Sequence, residues 1–390
     1  MNGHSSRRNF LAAGLALPAA ISASPGTGNK SRRAPAGTQT APSLLRYHTL
    51  GRTGLRVTTL GFGCMITSDG SVIERAADLG ITYFDTARSY QGGNNERMVG
   101  AALKNKRKQV VLSTKTEGRT RQEALEEIDI SLKVLGTDYV DIWYLHAKDS
   151  PSDVNDGLIE AQQIAKKAGK IRFAGVSTHS GQRELLPWLA ANPNIDVILT
   201  SYNFMMEPFM NGVIEKAAAA GKGIVAMKVM AGGMRRTRHG VPADRRLGRG
   251  GAMLAALKWV LRNPHVHTTI PSMTDTDQLE ENLKAMSEPF GSRDEKLLAL
   301  RMERMAPFYC RMCGECDGSC RQGLPVPDIL RFLTYAEGYG QFALARERYL
   351  GLDPAQASAR CGECAGCTVE CPYGVRVAQR LTQAQEWFAC

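Results

Sequence analysis

Four polar residues follow apolar runs in the first part of the chain, and their side chains together can carry acid–base chemistry. Asp85, Lys115 and His146 each end an apolar stretch, and Tyr90 comes shortly after Asp85. A lysine ammonium beside a tyrosine favours the phenolate, because the positive charge stabilises the ionised form. A carboxylate keeps that lysine protonated and oriented, and an imidazole can hydrogen-bond a carbonyl oxygen. The set predicts a proton-donating site for a carbonyl group that receives a hydride.

Each of these residues alone has an ordinary structural explanation. Asp85 can cap a helix, Lys115 can lie at the surface, and His146 can be a hydrogen-bonded core residue. The occurrence of all four at or just after successive strand ends favours catalysis, because the carboxyl ends of barrel strands are where active sites lie.

Eight of the ten cysteines lie between positions 310 and 371 and repeat one spacing, C-x2-C-x2-C-x3-C. The two runs are Cys310, Cys313, Cys316 and Cys320, and Cys361, Cys364, Cys367 and Cys371. This is the ligand run of ferredoxins, in which the fourth cysteine serves the other cluster. The runs predict two 4Fe-4S clusters. The expected ligand sets are Cys310, Cys313, Cys316 with Cys371, and Cys361, Cys364, Cys367 with Cys320.

Zinc sites and disulfides are the alternatives for these cysteines. A four-cysteine zinc site needs only two C-x2-C pairs and does not require the third and fourth cysteines at these offsets. A disulfide framework does not usually cluster in this way in so large a chain. Cys64 and Cys390 stand outside both runs, and we interpret them as a small buried residue and a terminal thiol.

Alternating strands and helices between residue 46 and about residue 290 are expected to position the four polar residues. Segments such as Arg121–Leu135 and Asp156–Ala168 have helical periodicity. The expected strands are Val57–Gly61, Ile81–Asp85, Val110–Lys115, Tyr139–His146, Ile171–Ser177, Val197–Asn203, Gly223–Val229 and Thr268–Ser272. Eight such units predict an α/β fold, a (β/α)8 TIM barrel. A doubly wound open sheet is the alternative, but it usually carries a GxGxxG motif, which is absent.

The sequence resembles the aldo-keto reductases over residues 46 to about 285. The matching stretches include YHTLGRTGLRVTTLGFG at 47–63, FDTARSY at 84–90, VLSTK at 111–115, YVDIWYLH at 139–146 and QLEEN at 278–282. The resemblance implies a (β/α)8 barrel that binds a nicotinamide dinucleotide. It also implies a catalytic tetrad of Asp85, Tyr90, Lys115 and His146. In that tetrad Tyr90 is the general acid/base, Lys115 lowers its pKa, Asp85 pairs with Lys115, and His146 orients the carbonyl.

The same resemblance suggests cofactor contacts, with departures from the family pattern. Ser177 and Asn203 fall near the carboxamide and nicotinamide positions, whereas the aromatic residue that often stacks on nicotinamide is replaced by the stretch that ends at Lys228. The family's 2′-phosphate contacts correspond to Ser272, Met273 and Gln278, near Asn282, and none of these is a cation. NAD(H) is therefore favoured over NADP(H), because a phosphate dianion without partners is costly to bury. An arginine-rich loop, Ala231–Gly251, is either a cover for the pyrophosphate or a solvated loop.

The N-terminus predicts export. Arg7 and Arg8 precede an apolar stretch and then small residues, which is typical of a twin-arginine signal peptide. We expect a signal peptide at 1–24, a flexible linker at 25–45, the barrel at 46–292 and a small α-helical ferredoxin-like iron–sulfur domain at 293–390. The mature protein is then periplasmic or otherwise extracytoplasmic, with no stable membrane span after processing. The formal net charge of +11 is a weak argument for nucleic acid, and none is expected as a partner.

Together these features predict an exported, nicotinamide-dependent oxidoreductase that carries two 4Fe-4S clusters. Its expected partners are a small carbonyl or alcohol substrate and a redox partner protein that exchanges electrons with the clusters. Hydride transfer moves two electrons whereas each cluster passes one, and no flavin motif is visible. The alternative is a catalytically altered barrel that serves as a binding scaffold for an electron-transfer domain. Neither the substrate nor the direction of the reaction is encoded in a readable motif.

Overall fold

A computed structural model describes residues 45–232 and 251–389. The predicted signal peptide, nearly all of the linker, and most of the arginine-rich loop lie outside these ranges, as does Cys390. Residues Ser43–Cys390 form one compact unit, so the barrel and the cysteine-rich tail pack against each other.

Eight parallel strands form the central sheet, and their order in the sheet follows their order in the chain. They are β3 (Phe62–Gly63), β4 (Tyr83–Asp85), β5 (Val111–Thr116), β6 (Val140–Leu145), β7 (Ile171–Thr178), β8 (Val197–Ser201), β9 (Gly223–Met227) and β10 (Thr268–Thr269). A parallel bridge between Leu60 and Thr269 joins the first and last strands. The predicted (β/α)8 barrel is confirmed.

Helices separate the strands and pack on the outside of the sheet. They are α1 (Gly70–Asp78), α2 (Asn94–Leu103), α3 (Arg121–Leu135), α4 (Asp156–Lys167), α5 (Gln182–Ala191), α6 (Phe209–Ala219), α7 (Ala252–Leu261) and α8 (Thr276–Leu283). Helix α3 begins with a capping box, in which Thr120 and Glu123 satisfy each other's backbone amides. It spans the range that its hydrophobic periodicity predicts.

The first predicted strand, Val57–Gly61, was misplaced. Residues Arg56–Thr58 form β2, which pairs antiparallel with β1 (Tyr47–Thr49), and the first barrel strand follows at Phe62–Gly63. The whole stretch is apolar and β-prone, so periodicity alone cannot tell the hairpin from the barrel strand. Several other strands are shorter than predicted. The last strand, for example, is Thr268–Thr269 rather than Thr268–Ser272.

The β1–β2 hairpin closes the amino-terminal end of the barrel. Leu50, in the turn of this hairpin, is fully buried and joins an interior cluster with Tyr83 and Tyr144. Gly51 is required there, because its φ is +52° and a Cβ would lie 2.4 Å from the backbone nitrogen of Gly223. With this end filled, the open end of the barrel is the one at the carboxyl ends of the strands.

The tail is a small helical domain with its own core. Its helices are α9 (Ser292–Met305), α10 (Val326–Glu337), α11 (Phe342–Leu350), α12 (Pro354–Ser358) and α13 (Val377–Phe388). Leu333 and Phe388 are fully buried in this core, which also includes Cys310 and Cys316. An ion pair between Arg380 on α13 and Glu337 on α10 ties the helices together. The predicted C-terminal helical domain is therefore present.

Candidate functional site

Asp85 and Lys115 meet at the carboxyl ends of the neighbouring strands β4 and β5. The Nζ of Lys115 lies 2.5 Å from Oδ2 of Asp85 and donates to the carbonyl oxygen of Thr86 at 2.7 Å. Ser113 donates to the other Asp85 oxygen at 2.7 Å. Burial lowers the pKa of Lys115, and the adjacent Asp85 carboxylate opposes that shift. The ammonium of Lys115 is thus held in a fixed, enclosed position near the barrel mouth, and the Asp85 carboxylate balances its charge.

Tyr90 begins a short 3-10 turn, Tyr90–Gly93, that follows β4. The Nζ of Lys115 lies 4.7 Å from the centroid of its ring, and the ring of His146 is 6.0 Å away. The sequence predicted that Lys115 lowers the pKa of Tyr90. The structure indicates the opposite net effect: burial, reinforced by Asp85, raises the pKa of Tyr90 well above its ordinary value. The phenol form of Tyr90, which can donate a proton, is therefore favoured over the phenolate.

His146 follows β6 and contacts a residue that the sequence analysis did not single out. Its Nδ1 lies 3.2 Å from Oε1 of Glu117, which comes two residues after Lys115 on the neighbouring strand end. The distance suits an ion pair, although the ring N–H is not aligned for a standard hydrogen bond. Burial lowers the pKa of His146, whereas Glu117 raises it. The net effect is a lowered pKa of His146, so the neutral imidazole is favoured.

Glu117 also connects the catalytic residues to the tail. Arg348 on α11 binds the Glu117 carboxylate with both guanidinium nitrogens, at 2.5 and 3.2 Å. Ser89 donates to the same carboxylate at 2.8 Å. His146 and Arg348 hold the pKa of Glu117 well below its usual range, although burial opposes this. The only signal in the sequence was the position of Glu117 near a strand end, because its partner is 231 residues away.

A cavity of about 370 Å³ joins these residues to the rest of the barrel mouth. Asp85, Tyr90, Glu117 and His146 line one part of it, whereas α10 and α11 of the tail supply its roof. The roof residues are Arg331, Phe332, Tyr335, Gly338, Tyr339, Leu344 and Arg348. The tail therefore covers the tetrad and contributes side chains to the same cavity. No motif in the sequence predicts that the tail packs over the barrel cavity.

The six predicted cofactor contacts fall into two groups. Lys228, Ser272, Gln278 and Asn282 line the cavity. Ser177 and Asn203 are fully buried and do not line it. Ser177 accepts a hydrogen bond from the amide of Ala147, whereas Asn203 donates to the carbonyl of Lys228 and to Tyr309 of the tail. The role of these six residues stays a prediction.

The eight cysteines of the two C-x2-C-x2-C-x3-C runs have free thiols. Within the described ranges, no three histidine, cysteine, aspartate or glutamate side chains converge closely enough to hold a single metal ion. The thiols nevertheless interact in two sets. After burial, the nearby thiols of Cys316, Cys313 and Cys371 raise the pKa of Cys310. Cys367, Cys320 and Cys364 do the same for Cys361. Cys64 is fully buried beside Asp85, as expected for a small core residue.

Comparisons with known proteins agree with the fold. Residues 68–248 match the model of the aldo/keto reductase family. The chain is 27% identical over 320 residues to the L-glyceraldehyde 3-phosphate reductase of Escherichia coli O157:H7, and the match covers 64% of this chain and 90% of that protein. The aldo-keto reductase AKR11C1 from Bacillus halodurans, in its holo form, superimposes with a TM-score of 0.56 at 25% identity, covering 70% of this chain and 98% of that one.

The barrel is similar in fold to the aldo/keto reductases. The prediction of an NAD(P)-dependent oxidoreductase is thereby confirmed. A similar degree of identity, 26% over 302 residues, relates the chain to a probable voltage-gated potassium channel subunit beta of Oryza sativa subsp. japonica; this match covers 62% of this chain and 91% of that protein. The reductase barrel and its tail contain no helix, among the described residues, that is both long and apolar enough to cross a membrane.

Proposed function

We propose that this protein is an exported carbonyl or alcohol oxidoreductase in which Tyr90 is the general acid/base. The observation that carries the proposal is the meeting of Asp85, Tyr90 and His146 at one cavity, with Lys115 buried behind them against Asp85 and the ring of Tyr90. These four side chains come from separate loops and strands, and their convergence supplies a proton donor, a fixed cation and an imidazole. The nicotinamide, when bound, supplies or accepts the hydride.

Tyr90 donates its phenolic proton to the carbonyl oxygen as that oxygen becomes an alcohol. Lys115, held by Asp85, stabilises the phenolate that remains, because the ammonium stays close to the ring. His146 contacts Glu117 through Nδ1, which favours a hydrogen on that nitrogen. The Nε2 of the neutral ring then accepts from a substrate hydroxyl, whereas the protonated ring donates to a carbonyl. The same site thus serves oxidation and reduction.

Replacing Tyr90 with phenylalanine tests this role. We expect kcat to fall by about two to four orders of magnitude, because the proton donor is removed while the ring remains. The iron content and the affinity for NADH should stay unchanged. Full turnover in Tyr90→Phe would contradict the proposal. Electron transfer that is unchanged in Tyr90→Phe would instead favour the scaffold alternative, to which the internally satisfied hydrogen bonds of Ser177 and Asn203 give support.

The cavity residues fit NAD(H) better than NADP(H). The side-chain amide of Gln278 donates hydrogen bonds to Thr274 and Asp275. The Asp275 carboxylate also caps the start of α8. Glu281 lines the cavity one turn further on. Two carboxylates near the expected 2′-position oppose a phosphate dianion. We expect a lower Kd for NADH than for NADPH, and Gln278→Arg should narrow the difference. A preference of the unaltered protein for NADPH would contradict this assignment.

The tail is proposed to carry two 4Fe-4S clusters with crossed ligand sets. Support comes from proximity: Cys371 lies near enough to Cys310 to raise its pKa, and Cys320 does the same for Cys361. A cluster of four irons holds its thiolates farther apart than one ion does, which is compatible with the loose spacing of the free thiols. Anaerobic purification should yield about eight irons and eight sulfides per chain. Zinc without sulfide would contradict the clusters.

The clusters suggest a redox partner, because hydride transfer moves two electrons at once whereas each cluster passes one electron at a time. Bleaching of the cluster absorption by NADH would indicate that the barrel and the tail exchange electrons. Iron present without bleaching would indicate a structural role or an external partner. Export through the twin-arginine route is proposed from Arg7 and Arg8, and fractionation of cells with a Lys-Lys replacement of this pair tests it.

A further inference from the structure

Lys228 is a cation at the active-site cavity that lacks a carboxylate partner. It follows β9 and lines the cavity together with Tyr90 and His146. Its ammonium lies 4.6 Å from the ring centroid of Tyr335 and 5.5 Å from that of Tyr339, both on the tail. Among the described residues it forms no ion pair. Burial and the neighbouring Arg331 lower its pKa to about 7. A buried lysine of this kind is stabilised in its charged form by an external counter-charge and otherwise tends to lose its proton.

Two more nitrogen atoms beside Lys228 also lack partners. The Nε of Arg331 and the Nδ1 of His179 are buried without a hydrogen bond. Lys228 and Arg331 both depress the pKa of His179, so the three side chains lie close together. Buried polar groups in proteins are nearly always satisfied, and several unsatisfied ones at a single cavity indicate a ligand.

The backbone at Lys228 is strained in a way that holds this arrangement. Its φ is +55°, in the left-handed region that lysine rarely adopts. Its carbonyl oxygen accepts hydrogen bonds from Asn203 at 3.0 Å and from the amide of Ala231 at 2.9 Å. Strain of this kind persists where surrounding contacts enforce it, and such residues cluster at ligand sites.

The guanidinium of Arg331 contacts two carboxylates of the protein but keeps an Nε without a hydrogen-bond partner. One nitrogen pairs with Asp328 at 2.5 Å and another approaches Asp149 at 3.5 Å. These carboxylates occupy the fork of the guanidinium and leave its Nε edge free. The apolar side chains of Phe332 and Leu344 line the same cavity. Charge interactions are stronger in such surroundings than in water.

We propose that Lys228, Arg331 and His179 bind an acidic group of the substrate, a carboxylate or a phosphate. This inference rests on the proposed oxidoreductase function and names the class of its substrate. The ring of His179 is 6.2 Å from that of His146, so the acidic group lies near the reacting carbon. The substrate is then a short oxo acid or hydroxy acid, or a small phosphorylated carbonyl compound. Lys228 is thereby assigned to the substrate rather than to the dinucleotide.

Binding to the full-length, cluster-loaded protein tests this assignment without requiring turnover. Oxalate and inorganic phosphate are the probes, with neutral oxamide as the matched uncharged ligand, each titrated calorimetrically with and without NAD. Lys228→Met should raise the Kd of the preferred anion about tenfold or more, and Lys228→Arg should restore much of the affinity. Lys216→Met, on the exposed face of α6, is the matched control and should bind like the unaltered protein. The relative affinity for oxalate and phosphate distinguishes the two acid groups.

The affinity for NADH separates the possible outcomes. An unchanged NADH affinity in Lys228→Met, together with loss of anion binding, supports a substrate site. Equal losses of both would overturn the assignment and give Lys228 to the cofactor's pyrophosphate. Equal binding of oxalate and phosphate by the unaltered protein and by Lys228→Met would also overturn it. Anion binding that depends on Lys228 and persists in Tyr90→Phe supports the site even if no carbonyl compound is turned over, in which case only the oxidoreductase proposal fails.

Discussion

Glu117 links the tail to the proposed catalytic residue His146. Its carboxylate contacts His146, Ser89 and Arg348, so one side chain joins the barrel loops to α11. His146 has no other charged partner among the described residues within ion-pair distance. Its orientation and proton therefore depend on a carboxylate that the tail itself holds in place.

Replacing Glu117 with glutamine should impair turnover while leaving the tetrad intact. The amide keeps the shape but removes the charge that raises the pKa of His146. We expect kcat to fall about tenfold or more, and the acid limb of the pH profile of kcat/KM to move to lower pH. Glu160→Gln, at an exposed ion pair with Arg121, is the control and should change neither. A lower kcat with an unmoved acid limb would indicate a packing role and contradict the electrostatic one.

The pKa of Lys228 makes anion binding depend on pH near neutrality. Lysine is charged below its pKa, so the affinity for oxalate should fall as the pH rises through about 7. An anion in place raises that pKa, and calorimetry in buffers of different ionisation enthalpy should detect proton uptake above pH 7. An affinity that stays constant from pH 6 to pH 9 would contradict this. The charged or titratable groups that face Lys228 are Arg331, Asp149, His179, Tyr335 and Tyr339.

At the scale of elements, the barrel depends on close packing between neighbouring strands. Gly175 on β7 lies against Tyr144 on β6, and a Cβ there would be 2.4 Å from the tyrosine ring. The hydroxyl groups of Tyr144 and Tyr83 lie 2.7 Å apart and hydrogen-bond inside the barrel, close to Asp85. A side chain at position 175 must therefore displace a ring that supports the floor of the site.

Gly175→Ala should lower the free energy of unfolding by about 1–3 kcal/mol, because overpacking forces Tyr144 to move. Gly212→Ala is the matched control, since a Cβ at that helical glycine contacts nothing within 4 Å. It should be neutral or stabilise the protein by about 0.4–1 kcal/mol. Chemical denaturation of both variants measures the difference. A neutral Gly175→Ala would show that the barrel interior has room that the structure does not indicate.

The sequence predicted the elements better than their pairing. The strand ends that carry Asp85, Lys115 and His146 followed from apolar runs, and α3 followed from its periodicity. The β1–β2 hairpin did not, because strand pairing depends on contacts that one strand's composition does not encode. Glu117 and Arg331 were missed for the same reason: their significance comes from partners far away in the chain.

At the scale of the whole molecule, the tail is a structural part of the proposed active site. Its helices α10 and α11 roof the cavity, and Arg331 and Arg348 pair with barrel carboxylates. The tail core is small and includes Cys310 and Cys316, so metal ligation is expected to contribute much of its stability. The barrel has a separate and larger core. Cluster loss should therefore affect the tail first and the barrel only indirectly.

Removal of the iron should open the cavity while leaving the barrel folded. The tail would lose its order and withdraw the roof and Arg348, so that Glu117 no longer has its partner. We expect anaerobic chelation, or Cys310→Ala, to abolish most of the carbonyl activity and to add an early thermal transition, with most of the helical circular dichroism retained. Cys64→Ala, at a buried cysteine of the barrel, should keep its iron. A protein that loses its iron but keeps its activity and a single transition would contradict this dependence, because the tail would then hold the roof without metal.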